Sequence, residues 1–382
     1  MSIKGKAAIA GVYEHPLRWA PHKTQYQIMA ESARGALDDA GLKIKDVDGL
    51  FTSGVSGMGI VSLAEHLNLN PDFLDSNSIG GSSFVSHTAH AAAAIAAGYC
   101  NVALILYGSK WSSDRFAIGT GGASGGDPSE QFENCYGPTT VGDYALTAQR
   151  HMHEFGTTSE QLAEIAVTMR RHASMNPHAK FRDPITVNDV LSSRLVSSPL
   201  HLLDCCMISD GGGAIVVTSA ERARDLKKKP VHLLGAAEAC YHTSAGVRDL
   251  TNAAAKQSGP KALERAGVAH KDINMAMIYD SFTITVLVTL ESLGFCKKGE
   301  GGAFVQNGRI GLGGALPINT DGGGLSSNHP GMRGIFLVIE ATKQLRGECA
   351  DRQVKDCKIA MVHGTGGTLG LRHSGASLVL GV

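Results

Sequence analysis

The chain carries little that would tie it to nucleic acid, a metal or a membrane. Its 35 Lys and Arg are balanced by 35 Asp and Glu. With no basic run interleaved with aromatics, it offers no phosphate-binding stripe, and a nucleic-acid partner is not expected. No segment approaches the roughly 18 apolar residues that span a bilayer, and the start, Met1 to Val12, holds only about six apolar residues in a row without a cleavage site. The expected location is the cytoplasm. The eight cysteines have no CxxC spacing, which reads as reduced thiols rather than a disulfide framework, and the adjacent Cys205-Cys206 pair reads as core. The pairs His87/His90 and His151/His153 have no Cys, His or Asp companions at ligand spacing, so no protein-bound metal is expected.

Glycine, in contrast, is abundant, with 47 in 382 residues against 5% aromatics. The glycines cluster at 119–126, 211–213, 311–314, 322–324 and 364–367, which marks loops and close backbone approaches. The run at 119–126 has neither a GxGxxG fingerprint nor a Walker lysine, so it reads as a site-lining loop rather than a nucleotide cradle.

The strongest internal signal is a repeat. Ala36-Leu37-Asp38-Asp39-Ala40-Gly41 with Lys45-Asp46-Val47 returns as Ala262-Leu263-Glu264-Arg265-Ala266-Gly267 with Lys271-Asp272-Ile273, at one ungapped offset of 226 residues. Each copy reads as a helix closed by glycine, a polar link and a short strand. Solenoid repeats are about 20 to 50 residues long, so this spacing predicts a duplicated half-domain. Around it, strands are predicted at 6–12, 47–53, 102–107 and 214–218, and again at 231–236, 275–279, 358–363 and 377–380. Helices are predicted at 26–40, 84–97, 252–266 and 332–346. Two further helical patterns, 141–155 and 159–175, lie in a long insertion. Helices alternating with short apolar strands imply crossover units. The division expected is 1–110 with 201–225 as one half, 111–200 as a lid, and 226–382 as the second half.

Several segments in this order carry a family resemblance: Asn319-Thr320-Asp321-Gly322-Gly323-Gly324 leading to Asn328-His329-Pro330-Gly331, His363-Gly364-Thr365-Gly366-Gly367 before the last strand, Tyr279-Asp280-Ser281-Phe282, and 203–212. Together they resemble the thiolase superfamily, and within it the sterol-carrier or lipid-transfer type. The resemblance implies an α/β fold of two duplicated halves layered α-β-α-β-α with a mid-chain lid, a homodimer, and a coenzyme A thioester as substrate. No covalently bound cofactor is implied.

The resemblance also assigns a nucleophilic cysteine to the turn before the helix at 84–97, where a helix N-terminus would lower a thiol pKa. Counting back from Gly98 places Gly81 there, and a one-residue slip places Ser82. The second family cysteine has His363 in its place. His329 matches the histidine that donates to the thioester oxygen, and backbone N–H groups near Gly81, Gly364 and Gly366 would add donors. Such a site keeps enolate stabilisation without acyl transfer. The resemblance therefore points to the cysteine-lacking aldolases, which cleave a β-hydroxyacyl-CoA by a retro-aldol step on steroid side chains and act with a small zinc-ribbon/OB-fold partner. Tyr279 either donates to the enolate or takes the β-hydroxyl proton, or is simply the last aromatic of a core strand. Tyr241 has a structural reading beside its catalytic one, and Asp280 either orients a neighbour or caps a helix. His363 is an acid-base candidate or a satisfied loop histidine. Ser82, Ser83 and Asn319 are candidate substrate contacts, the serines alternatively N-caps. Two other functions stay open: a thiolase or acyltransferase using Ser82 or Cys135, and a non-catalytic lipid- or CoA-binding subunit.

Overall fold

The computed structural model describes residues 3–115, 139–242 and 247–382. The Gly119 to Gly126 loop and Cys135 lie outside the described residues. In the first half, strand β1 (Ala7–Glu14), helix α1 (Gln25–Ala40), β2 (Gly49–Thr52), α2 (Gly59–His66), β3 (Phe73–Ser76), α3 (Ser83–Ala97) and β4 (Val102–Ser109) follow in order. The insertion contributes α4 (Thr140–Phe155), α5 (Ser159–Ser174) and a small ribbon of β5 (Leu195–Ser197) and β6 (Leu200–His201). Strand β7 (Gly211–Ser219) returns to the first half. The second half comprises β8 (Val231–Tyr241), α6 (Ala255–Ala266), β9 (Met275–Ile278), α7 (Thr283–Leu293), α8 (Gly334–Arg346), β10 (Ile359–Thr368) and β11 (Leu371–Gly381).

The repeat appears as matching detail. Gly41 and Gly267 both end their helices in the left-handed conformation, at φ 76° and 67°, and each N–H reaches the equivalent carbonyls, Asp38 and Leu37 in one copy, Glu264 and Leu263 in the other. Only glycine adopts this cap without steric cost. Next, Asp46 accepts from Lys43 N–H and Asp272 from Ala269 N–H, both at 2.8 Å. Strands β2 and β9 then follow at the same offset of 226. Gly11 and Gly235 let α1 and α6 lie directly on their strands; a Cβ at either would come within 2.9 Å and 2.7 Å of a helix backbone nitrogen, Ala40 and Ala266.

Among the described residues, nine strands form one sheet in the order β3-β2-β4-β7-β1-β8-β11-β10-β9. Apart from β3 the order is palindromic about the β1–β8 junction, as duplication requires. The flanks are parallel (β3, β2 and β4; β10 and β9), while the central strands are antiparallel, so the predicted crossovers hold at the flanks. The junction itself has two rungs, Ala8–His232 and Ile9–Val231. Helices α3 and α8 pack on each other and on strands of both halves, with α1 outside the first half and α6 outside the second. This is the α-β-α-β-α layering. One apolar cluster uses both halves, including Phe84, Ile215, Phe336 and Val362. The described insertion packs on the second half: α5 lies against α7, and Tyr144 of α4 stacks on Phe282 with ring centroids 4.3 Å apart.

The halves are also linked by charge. His90 on α3 places Nδ1 2.7 Å from Asp75 and Nε2 2.7 Å from Glu238, while Ser86 donates to Glu238 at 2.7 Å. Hydrogen bonds to Asp75 and then Glu238 raise the His90 pKa to about 10. Because the folded value lies above the unfolded one near 6.5, the stabilisation is complete below about pH 6.5 and is lost as pH rises through about 10. His90→Gln should therefore cost roughly 1 kcal/mol at pH 6, a modest value because the site is partly solvated. Thermal melts of both proteins at pH 6 and pH 10.5 test this: the gap should close at the higher pH, and an unchanged gap would rule out the charge clamp.

Candidate active site

The site forms where the first turns of α3 and α8 meet the end of β9. Gly80, at φ 64°, turns the chain into a short 3-10 turn over Gly80–Ser82 that leads directly into α3. Tyr279 follows β9, and its ring lies against Gly81. A Cβ at position 81 would stand 2.6 Å from Tyr279 Cζ and nearer still to Cε2. Gly334, the first residue of α8, comes against the carbonyl of Gly81. The tyrosine thus fills the volume that a nucleophilic side chain at 81 would need.

Tyr279 Oη is surrounded by three polar atoms. His329 Nε2 is at 3.0 Å, the Gly331 carbonyl at 3.1 Å, and the Arg333 N–H donates at 3.2 Å. The rings of Tyr279 and His329 meet edge to face, with centroids 5.6 Å apart. His329 Nδ1 is buried and has no hydrogen-bond partner. An orphaned buried acceptor is less costly than an orphaned N–H, so we assign the proton to Nε2. Oη then accepts from His329 and Arg333 and donates to Gly331. Burial, followed by the nearby Arg333 guanidinium, lowers the His329 pKa to about 4. Burial raises that of Tyr279 well above 10. Both groups are neutral at pH 7.

A buried network beneath fixes this pair. The Asp280 carboxylate accepts from Gly324 N–H at 2.7 Å and Leu325 N–H at 3.2 Å, and pairs with Arg333 Nε at 3.3 Å. Burial raises its pKa to about 6 against the opposing effect of Arg333. Arg333, fully buried, also donates to Asn328 Oδ1 at 2.9 Å and Asp321 Oδ2 at 2.5 Å. Residues Gly323–Ser327 make a π-helical turn. It requires glycine at 323, where φ is 69° and a Cβ would stand 2.8 Å from Asp280 Cγ. Such wide turns are frequent at functional sites. Ser209 clasps His329, accepting from its N–H at 3.0 Å and donating its own N–H to the His329 carbonyl at 3.2 Å. Above, the Tyr107 hydroxyl donates to the Pro330 carbonyl and accepts from Met332 N–H. Trp111, from the start of the insertion, lies over Gly331.

Of the residues expected from sequence, the structure brings together Tyr279, Asp280, His329 and Gly81. Others are placed elsewhere or used differently. His363 is fully buried with Nδ1 2.8 Å from Ser377 Oγ on the face of the sheet toward α6, and burial lowers its pKa to about 3. The residue of β10 that faces the Gly81 turn is its neighbour Gly364, whose Cβ would meet Val85 and Ser82. A one-residue change of register along a strand reverses the face, so Gly364, not His363, is the position opposite Gly81. Tyr241 shares the α6 side and donates to the Asp249 carbonyl at 2.8 Å. Asn319 clasps the end of β9 by both amide atoms, each 2.7 Å from the Ile278 backbone. Ser82 donates to Ile79 O at 2.7 Å and meets Ser374, and Ser83 accepts from Ile79 N–H. These serines shape the turn. Gly366 permits β10 to touch Ile79. Arg333, Ser209, Tyr107 and Trp111 were not anticipated; a single arginine before an apolar helix gives no sequence signal of its buried partners. Among the described residues no cluster of His, Cys, Asp and Glu suited to a metal is found.

Residues 204–381 match a family model described as thiolase C-terminal domain-like. The chain is 35% identical over 379 residues, 95% of its length and 97% of the relative's, to a 17-hydroxy-3-oxo-4-pregnene-20-carboxyl-CoA lyase of Mycobacterium tuberculosis. The chain belongs to the thiolase superfamily. Another full-length relative of this superfamily member is an acetyl-CoA acetyltransferase of Methanothermobacter thermautotrophicus, 34% identical over 90% of the chain and 91% of the relative. A solved structure titled Ltp2-ChsH2(DUF35) aldolase superposes with a TM-score of 0.91 at 33% identity, covering 100% of this chain and 98% of that one.

Because Arg333 compensates two buried carboxylates, Arg333→Met should destabilise the fold by about 3–5 kcal/mol. Urea unfolding checks this, and a loss under about 1 kcal/mol would mean that the network is not ionised as drawn. Gly81→Ala must displace the Tyr279 ring. It should remove most activity while lowering the melting temperature far less than Arg333→Met, as measured on the same preparations.

Proposed function

We propose that the protein is an acyl-CoA aldolase that cleaves a carbon–carbon bond of a β-hydroxyacyl-CoA with a bulky, steroid-like acyl group, without a cysteine nucleophile. The observation that carries this reading is the Tyr279 ring over Gly81: the space for an acylated side chain is taken by a neutral hydroxyl held by His329 and Arg333. In the retro-aldol step the β-hydroxyl gives its proton to a solvent water, the bond between the α and β carbons breaks, and its electron pair moves to the thioester as an enolate. Tyr279 O–H would turn from the Gly331 carbonyl to the thioester oxygen, while the N–H groups of His329 and Arg333 stabilise charge developing on Oη. A proton returns to the enolate carbon. Protons balance, and no nucleophile or electron carrier is consumed.

Sequence identity alone does not separate this activity from acetyl transfer, since relatives of both names match equally well. The described site supports the aldolase. Ser82 is held by Ile79 and Ser374 and has no base, and Cys100 is buried with its pKa raised to about 11. We retain the division 1–110 with 201–225, 111–200 and 226–382, and a coenzyme A thioester as the sole cofactor-like group. By the same reading the enzyme is a cytoplasmic homodimer that acts with a small zinc-ribbon/OB-fold partner. The free thiols of the described cysteines suit a reducing compartment. The pairing of aldolase and partner in the related structure supports the partner. The dimer is supported by edge strand β3, with exposed Leu74 and with exposed Tyr99 stacked on Phe73, and by exposed Met58 just before α2 and Val61 on it.

The decisive assay offers the protein, alone and with its partner, a β-hydroxyacyl-CoA and a β-ketoacyl-CoA. Cleavage of the former to a ketone and a shortened acyl-CoA is expected, with kcat reduced roughly 10²- to 10⁴-fold in Tyr279→Phe. Thiolysis of the ketoester with an acyl-enzyme detected by mass spectrometry would refute the aldolase, and function unchanged in His329→Ala would favour a binding subunit. Gly81→Cys should not install thiolysis, because Tyr279 still occupies the space; an acylated Cys in that variant would show otherwise.

A further inference from the structure

A second cleft of about 520 Å³ opens on the opposite side of the Gly323–Ser327 turn, lined by Arg170, Lys180, Phe181 and an apolar wall that includes Leu203, Met207 and Leu325. Neither Tyr279 nor His329 lines it. The segment Cys205 to Ile208 separates the two sites, tied to the catalytic side by Cys206 N–H on Ser281 O at 2.9 Å and Met207 N–H on Gly324 O at 3.1 Å. We propose that this cleft binds a small amphipathic carboxylate, independently of the reaction site.

Charge and shape both point to such a ligand. Two cations line the cleft and no carboxylate does. Their hydrogen bonds go to neutral oxygens: Arg170 to Ser326 Oγ at 2.9 Å and the Asp183 carbonyl at 3.1 Å, Lys180 to the Ile208 carbonyl at 2.7 Å. The Asp183 and Asp210 carboxylates act on them from outside the lining. Phe181 holds both near one edge, its centroid 5.3 Å from the Arg170 guanidinium carbon and 5.8 Å from Lys180 Nζ. Partly desolvated cations beside an apolar wall favour a charge-assisted bond to one carboxylate whose hydrocarbon body covers that wall. The volume lies within the roughly 300–1,000 Å³ of sites for single organic ligands. A straight-chain acid and a rigid ring acid share this chemistry.

Titration calorimetry of the full chain with laurate, deoxycholate and dodecanol tests the proposal, with and without a saturating acyl-CoA. At least one acid should bind saturably at one site per chain, and the alcohol should not match it. The exposed Lys180 allows a charge reversal: Lys180→Glu should weaken the acid by roughly tenfold or more, and Lys180→Arg should keep it. Acyl-CoA should leave the affinity unchanged, so the outcome stands apart from whether the aldol reaction is observed. No saturable binding below about 1 mM, equal binding of dodecanol, indifference to Lys180→Glu, or displacement by acyl-CoA would each overturn it.

Discussion

The site depends on one buried cation. Moving a guanidinium out of water costs several kcal/mol unless its charge and N–H groups are met, and Arg333 is met by Asp280, Asp321 and Asn328. Each partner is thereby fixed. Asp280 immobilises the backbone after β9 and, through Gly324 and Leu325, the π-helical turn. Asn328 adjoins His329. The arginine's own N–H points at Tyr279 Oη. One ion network therefore sets the distance between the phenol and the imidazole, which neither side chain could set by itself.

The same economy of space explains the glycines. Gly80, Gly81, Gly334, Gly364 and Gly366 let α3, α8 and β10 converge so closely that a methyl group at any of them would meet backbone or ring atoms. What a thiol would have occupied is given to an aromatic ring that approaches from another strand. The change is a substitution of volume as well as of reactivity, and Tyr279 and Gly81 are consequently one feature.

Much of the fold was legible because the signals were local. Gly41 and Gly267 announce helix ends, and the Asp46 and Asp272 turns recur at the same spacing, so the duplication could be read from short-range chemistry. Helix α7 was not, since all of Thr283–Leu293 is buried and a helix buried all round has no polar face to mark its period. Strand β10 was expected to stop near His363, because Gly-Thr-Gly-Gly looks like a loop; there the glycines serve contact with the α3 turn instead. Of the candidate residues, motif order named Tyr279, Asp280 and His329 and the count back from Gly98 named Gly81, and these four lie together. His363 was misplaced by a single residue, which in a strand reverses its face, and Arg333 escaped because its meaning lies in carboxylate partners that only the folded chain brings to it.

The palindromic sheet has a structural consequence. Only two rungs join β1 to β8, so the halves are coupled mainly through the α3 and α8 pair. The turn that leads into α3 meets the first residue of α8 at Gly81 and Gly334, against the Tyr279 ring. This contact lies where the two halves meet, beside the apolar cluster that they share. The Tyr279 hydroxyl thus sits at the seam of the duplication, so the spacing of the two halves and the setting of the phenol are the same coordinate.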